Sequence, residues 1–272
     1  MITKFLNGST ADGYNPYRVT RDGFDWEAPE ADTPWANIGY WGDHQIIYLL
    51  KLLEFSSKYN SSNLKEMLNN DVFTYLNVPY IIKTYEELLL DSQNTIEFNH
   101  ELHNSIEDEK KIIGSDASCI LNNDKSLYQV NLIEKLLATL LSKLSNFIPG
   151  GGIWMNTQRP EWNDANNALV GNGVSMVTLY YTRRYVNFLI ELFSKIELKE
   201  ATISEKLKVF FDEIYSVFEK NKSILEKSIS DKDRKAVLDG VGKAGSKFRK
   251  SVYENKFILH NCKSFIEGTN SI

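Results

Sequence analysis

From residue 43 onward, apolar positions recur at helical spacing. Ile46, Ile47, Leu49, Leu50, Leu52, Leu53 and Phe55 cover most of a helical circumference, which predicts a deeply buried helix. Leu132, Ile133, Leu136, Leu137, Leu140, Leu141 and Leu144 give the clearest period in the chain, over 127–147. Residues 173–195, carrying Val174, Met176, Val177, Leu179 and Tyr180, predict a further helix. Residues 202–227, carrying Leu207, Phe210, Phe211, Ile214, Tyr215 and Phe218, predict another. Asn60-Ser61-Ser62 supplies a stop and a new cap for a short helix through Leu68. More helices are expected at Glu86–Leu90, 95–113, 231–240 and 245–268. The run 71–82 is strand-like in composition (Val72, Phe73, Tyr75, Val78, Tyr80, Ile81) but reads as an extended connection.

Residues 1–42 are interrupted by Gly8, Gly13, Pro16, Gly23, Pro29, Pro34 and Gly39, too often for any long element. No alternation of strands with helices appears. The expectation is therefore an all-α fold in a single α-helical domain over 1–272. Its entry segment 1–42 is irregular and Trp-rich, and helical hairpins fill 43–272.

Composition narrows the partners. The chain has 272 residues and is 42% apolar, enough for a sizeable core. No apolar run reaches the roughly 18 to 20 residues that span a bilayer. The start, Met1-Ile2-Thr3-Lys4, has too short an apolar stretch for a secretory signal. A cytoplasmic protein with no membrane partner is expected. Cys119 and Cys262 match no metal or redox spacing and read as reduced thiols. His100, His103 and His260 lack companions for a metal site. Gly150-Gly151-Gly152 lacks the Lys-Ser/Thr of a phosphate loop, and Gly240-Val-Gly-Lys-Ala-Gly245 follows no strand. No metal and no cofactor are expected. Residues 195–272 carry 16 Lys+Arg against 12 Asp+Glu, a net of +4, which leaves −9 for residues 1–194 of a chain at −5. The basic end alternates its signs like a solvated helical face, so no nucleic-acid partner is expected.

Candidate chemistry gathers in two loops, 24–45 and 149–173. Trp26, Trp35 and Trp41 lie in the first, Trp154 and Trp162 in the second. Either these rings seal the core where loops fold over helix ends, or they form a surface that stacks on something flat. The same loops carry Asp25, Glu27, Glu30, Asp32, Asp43, Glu161 and Asp164. Aromatic platforms beside carboxylates suit a sugar. Rings meet its C–H faces, polar groups meet its hydroxyls, and a carboxylic acid protonates the leaving glycosidic oxygen. In the second loop three glycines allow close backbone approach. Glu161-Trp162-Asn163-Asp164 places two carboxylates one helical turn apart, with Asn163, Asn166 and Asn167 adding amides. Asp164 taken alone also suits a helix cap. His44 either binds a hydroxyl or packs at a helix start.

The segment Glu161-Trp-Asn-Asp-Ala-Asn-Asn167 resembles the Asp-Trp-Asn-Asp segment of cellobiose-phosphorylase-type enzymes. Those belong to the six-hairpin (α/α)6 toroid superfamily, with glucoamylases, trehalases and glycogen-debranching glucosidases. Gly39-Tyr-Trp-Gly-Asp43-His-Gln45 is similar to that superfamily's Trp-plus-Asp segment. The resemblance implies a general acid at Glu161 or Asp164, with Glu161 favoured, and an aspartate, Asp43, that grips sugar hydroxyls. Trp41, Trp154 and Trp162 would line the site with His44, Gln45, Arg159, Asn163 and Asn167. The partner implied is an oligosaccharide or glycan, and the reaction an inverting hydrolysis or phosphorolysis. Glu161 stands where the phosphorylases have Asp. Only eight or nine helices are legible, fewer than six hairpins need, and no catalytic-base or phosphate block appears after residue 195. An incomplete toroid acting with the remainder of a longer polypeptide is therefore expected. The alternatives are a non-catalytic glycan-binding domain and a helical protein-interaction domain.

Overall fold

The computed structural model describes residues 1–16, 18–19, 23–29, 39–40, 44–156, 171–198, 200–225, 228–254 and 263–267. Its centre is α6 (Leu132–Leu144), in which every residue from Leu132 to Lys143 is buried. A helix enclosed on all sides must satisfy its polar residues internally. The Glu134 carboxylate accepts the Ser204 backbone N–H at 2.9 Å. Lys135 Nζ donates to the carbonyls of Thr74 (2.7 Å) and Ser9 (3.3 Å) and lies 3.7 Å from the Tyr75 ring centroid. Burial pulls the Lys135 ammonium well below the ordinary lysine value and raises Glu134.

Around this axis run α1 (Ile2–Asn7), α2 (His44–Tyr59), α3 (Ser61–Asn69), α4 (Tyr85–Leu90), α5 (His100–Ile113), α7 (Met176–Lys195), α8 (Glu205–Leu225) and α9 (Asp231–Glu254). The capping of α4 is a reciprocal box between Thr84 and Glu87, and Asn99 and Asn131 cap α5 and α6. The α6 helix packs on α3, α8 and α9, while α2 packs on α1, α3 and α7.

The all-α expectation gives way to a mostly helical fold with small antiparallel sheets. Among the described residues these pair β1 (Arg18–Val19) with β2 (Phe24–Asp25), and β3 (Tyr80–Ile82) with β4 (Ile96–Phe98). A third sheet orders β5 (Phe147–Ile148), β6 (Gly152–Trp154) and β7 (Val174–Ser175). The fourth pairs β8 (Glu200–Ser204) with β9 (Lys263–Glu267) in the register Thr202↔Phe265. Several expected boundaries move accordingly. The connection 71–82 carries β3 and isolated bridges at Phe73 and Leu76. Residues 96–98 are strand, so α5 begins at His100. Residues 263–267 are strand rather than helix, because β8 offers a ladder that local propensity does not reveal.

The expected break between 231–240 and 245–268 is also absent, since α9 runs unbroken through Gly240, Gly242 and Gly245. These glycines are points of close approach. A Cβ on Gly242 would stand 2.4 Å from the Tyr85 ring, and one on Gly245 2.7 Å from Ser145 Cβ. The full burial expected of α2 is corrected too. Ile46, Leu49, Leu50 and Leu53 are buried, whereas Phe55 and Tyr59 are each 64% exposed. Likewise α7 buries Tyr185, Leu189, Leu192 and Phe193 and exposes Met176, Val177 and Tyr180.

The N-terminal turn Thr10–Asn15 is pressed onto α6. Gly13 has φ +88°, and a Cβ there would fall 2.3 Å from the Ala138 carbonyl oxygen. Gly13→Ala should therefore cost about 3 kcal/mol or more, summing left-handed strain with overpacking. Gly114→Ala makes the control: its φ of +75° and ψ of −151° lie in a region essentially reserved for glycine, with nothing within 4 Å, so backbone strain alone applies, at about 1–3 kcal/mol and less than at Gly13. Urea unfolding of both variants measures the difference, and equal losses would show that the close approach on α6 does not matter.

Candidate functional site

Of the two loops singled out from the sequence, the first is described at 24–29, 39–40 and 44–45, and the second at 149–156 and 171–173. Trp41, Asp43, Arg159, Glu161, Trp162, Asn163, Asp164 and Asn167 lie outside the described residues, as do Trp35 and Cys262. His44 begins α2. What the structure places are the ends of both loops, and these meet on one buried polar network.

The network is built on the C-terminal turn of α6. The Gly13 carbonyl accepts from Gln45 Nε2 at 2.9 Å and from Ser142 Oγ at 3.1 Å. Gln45 Nε2 also donates to Asn15 Oδ1 at 2.6 Å. The Ser142 carbonyl accepts from Asn146 Nδ2 (3.0 Å) and from the Tyr14 hydroxyl (3.2 Å), and Asn146 Nδ2 reaches the Tyr14 oxygen at 3.1 Å. Asn146 Oδ1 in turn accepts from Asn156 Nδ2 at 2.8 Å. The Tyr14 ring stacks on Tyr40 at 5.2 Å between centroids, with Lys143 Nζ 4.5 Å from the Tyr14 ring centroid. Tyr40 and Gln45 flank the first loop's Trp41–Asp43 segment, and Asn156 leads into the second loop. Both loops are thus rooted within a few hydrogen bonds of each other.

A second group continues the network to α9. Asp12 is 3% exposed and accepts from Thr10 Oγ1 and from the Tyr253 hydroxyl, the latter at 2.7 Å. The Ile82 N–H donates to the same Tyr253 oxygen at 3.3 Å. Burial raises the Asp12 carboxyl, opposed by these hydrogen bonds and by the nearby Arg249 guanidinium. Burial, followed by the charge of Asp12, also pushes Tyr40 and Tyr253 well above the ordinary tyrosine value.

Among the described residues, Gln45 Oε1, Asn156 Oδ1 and Arg249 Nε are buried there with no hydrogen-bond partner. Each such atom costs about 1–3 kcal/mol when left unpaired, so the network is set up at some expense to the fold. No group of three or more His, Cys, Asp or Glu residues suited to a metal ion occurs among the described residues. No helix there is long and apolar enough to cross a membrane.

The chain matches no protein-family model and no curated protein.

Two tryptophans are not surface platforms. Trp26 is 6% and Trp154 8% exposed. Trp26 Nε1 donates to His103 Nδ1 at 3.3 Å under Lys110, and Trp154 Nε1 donates to the Gly171 carbonyl at 2.9 Å. For these two rings the core-sealing alternative describes what is seen. Trp154 closes the base of the second loop by joining β6 to its far end. Gln45, expected among the hydroxyl-binding groups, is 1% exposed with its amide nitrogen committed. Asn15, Asn146 and Asn156 were not singled out by sequence reasoning. The one signal for them was polar residues where apolar neighbours predict burial, as at Asn146 directly after the α6 leucines.

The Asp12 carboxyl makes a sign test. A carboxyl raised by folding holds more protons folded than unfolded between the two pKa values, so its contribution falls as pH rises from about 4 upward. Asp12→Asn retains an acceptor for Tyr253 and cannot ionise. Thermal unfolding at pH 4 and pH 7.5 should show wild type losing ground to Asp12→Asn at the higher pH. Wild type gaining ground would mean that Arg249 outweighs burial.

Proposed function

We propose that this chain is a carbohydrate-active helical protein whose sugar site lies where its two Trp-rich loops meet. The reading belongs with the (α/α)6 toroid glycosidases and phosphorylases, as an incomplete set of hairpins. The observation that carries it is the shared root of both loops, Tyr40 and Gln45 on one side and Asn156 on the other, joined through Gly13, Tyr14, Ser142 and Asn146. The chemistry requires Asp43 to lie near Glu161 and Asp164, and loops anchored on one network suit that requirement. An acid, Glu161 by preference, protonates the glycosidic oxygen while water or phosphate attacks from the opposite face. Asp43 holds hydroxyls, and Trp41 and Trp162 supply faces for stacking.

Non-catalytic glycan binding is the second reading, favoured by the part of the chain beyond residue 195. The described residues there form β8, β9, α8 and α9 and carry ion pairs such as Lys208–Asp212, Lys235–Asp239 and Lys247–Glu213. No base is evident among them.

The two readings separate on one pair of measurements, affinity for a glycan array and release of reducing sugar. Asp43→Ala should lose glycan affinity. Glu161→Gln should keep affinity and lower any turnover by about a hundredfold or more, the contribution of a positioned acid. Affinity without turnover in wild type selects the binding reading. A chain that binds no glycan, with Asp43→Ala indistinguishable from wild type, contradicts both.

A further inference from the structure

Trp26, at the start of the first loop, is gripped by one face of α5. Its indole Nε1 donates to His103 Nδ1 at 3.3 Å, and the two rings meet edge to face, 6.3 Å between centroids. Lys110 Nζ lies 4.6 Å from the indole centroid. His103 and Lys110 stand two turns apart on that face, with the buried Ile106 between them. An indole N–H only donates, and an imidazole nitrogen accepts only when it carries no proton. The bond therefore fixes His103 as the neutral ring, with its proton on Nε2. A second proton would turn Nδ1 into a donor facing another donor. Trp26 is buried, so its N–H pays heavily for losing the acceptor. His103 is only partly buried, within reach of protons from solvent.

We infer that His103 is a pH-sensitive latch on the first loop, closed on Trp26 when neutral and open when protonated. Histidine is the side chain that changes charge between roughly pH 5 and 8, so mild acidification opens the latch. The charged neighbours act on both states. Lys110 touches the same indole and repels a second cation beside it. Glu107, one turn along α5 from His103, attracts the protonated ring but is engaged with Lys110 at 2.6 Å. His100 is separated from His103 by the Phe98 ring, with centroids 4.9 Å and 5.4 Å from it. The neighbouring charge on β4, Glu97, belongs to an exposed residue. On the loop itself Glu27 follows Trp26, and its backbone N–H and carbonyl are held by the Tyr80 hydroxyl at 2.9 Å and 2.7 Å. Those two bonds involve no histidine, so the opening stops short of Glu27. The latch does not depend on what the loops bind.

The test is a pH series of NMR spectra on the whole chain with isotope-labelled tryptophan and histidine. Trp26→Phe and Trp154→Phe each remove one indole N–H resonance and so assign it. From about pH 8 down to about pH 5 the Trp26 resonance should move upfield as its hydrogen bond is lost. Its midpoint should match that of the His103 imidazole signal. The Trp154 resonance should stay in place, because its acceptor is the Gly171 carbonyl. In His103→Gln, whose side-chain oxygen accepts at any pH, the Trp26 resonance should stop moving. A Trp26 resonance that stays in place while wild-type His103 titrates would overturn the latch, and that comparison needs no variant at position 103. So would a His103 ring that takes up no proton above about pH 5, or a Trp26 shift that persists in His103→Gln.

Discussion

The Gly13 carbonyl and the backbone around it tie the molecule together. The turn Thr10–Asn15 touches α6 so closely that no side chain fits at Gly13, and its carbonyl binds both α6, through Ser142, and α2, through Gln45. The same turn carries Asp12 to Tyr253 on α9 and Tyr14 to the end of α6. One irregular stretch of chain thus links the central helix with an early and a late helix. Lys135 performs the equivalent task nearer the start of α6, holding the Ser9 and Thr74 carbonyls against it. Buried polar groups of this kind add little net stability, but they specify where an irregular segment must lie, which apolar packing alone does not.

That constraint also positions the ends of the two Trp-rich loops. Tyr40 stacks on Tyr14, Gln45 is held by Gly13 and Asn15, and Asn156 is held by Asn146. Trp154 then closes the second loop onto Gly171. Sites built on rigid supports keep their geometry better than free loops do, and here the supports come from four parts of the chain.

The long helices were legible because their burial follows a regular period. The leucines of α6 fall in or against the core, and α8 keeps Leu207, Phe210 and Ile214 buried. The small sheets were not, since β8 and β9 owe their form to a partner about 60 residues away rather than to their own residues. The continuity of α9 was missed because its glycines read as breakers, whereas contacts with Tyr85 and Ser145 require them. Phe55 and Tyr180 looked like core residues and are exposed, because composition alone does not say which face of a helix has a neighbour. In the candidate site, clustering of tryptophans and carboxylates drew attention to loops whose ends do meet. It did not reveal that Trp26 and Trp154 belong to the core, nor that the polar floor comes from Asn15, Asn146 and Asn156.

Both loops are proposed to open on a single sugar site beside this network. A crystal structure of the chain with a bound disaccharide tests it most directly. One sugar should be found with Asp43 and one of Glu161 or Asp164 around it. Asp43 is expected to hold hydroxyls without being the base, so its distance to the acid is less constrained than the roughly 6.5–9.5 Å between an inverting acid and its base. A sugar bound elsewhere, or an Asp43 carboxylate more than about 15 Å from those of both Glu161 and Asp164, too far for one sugar to meet both, would contradict it.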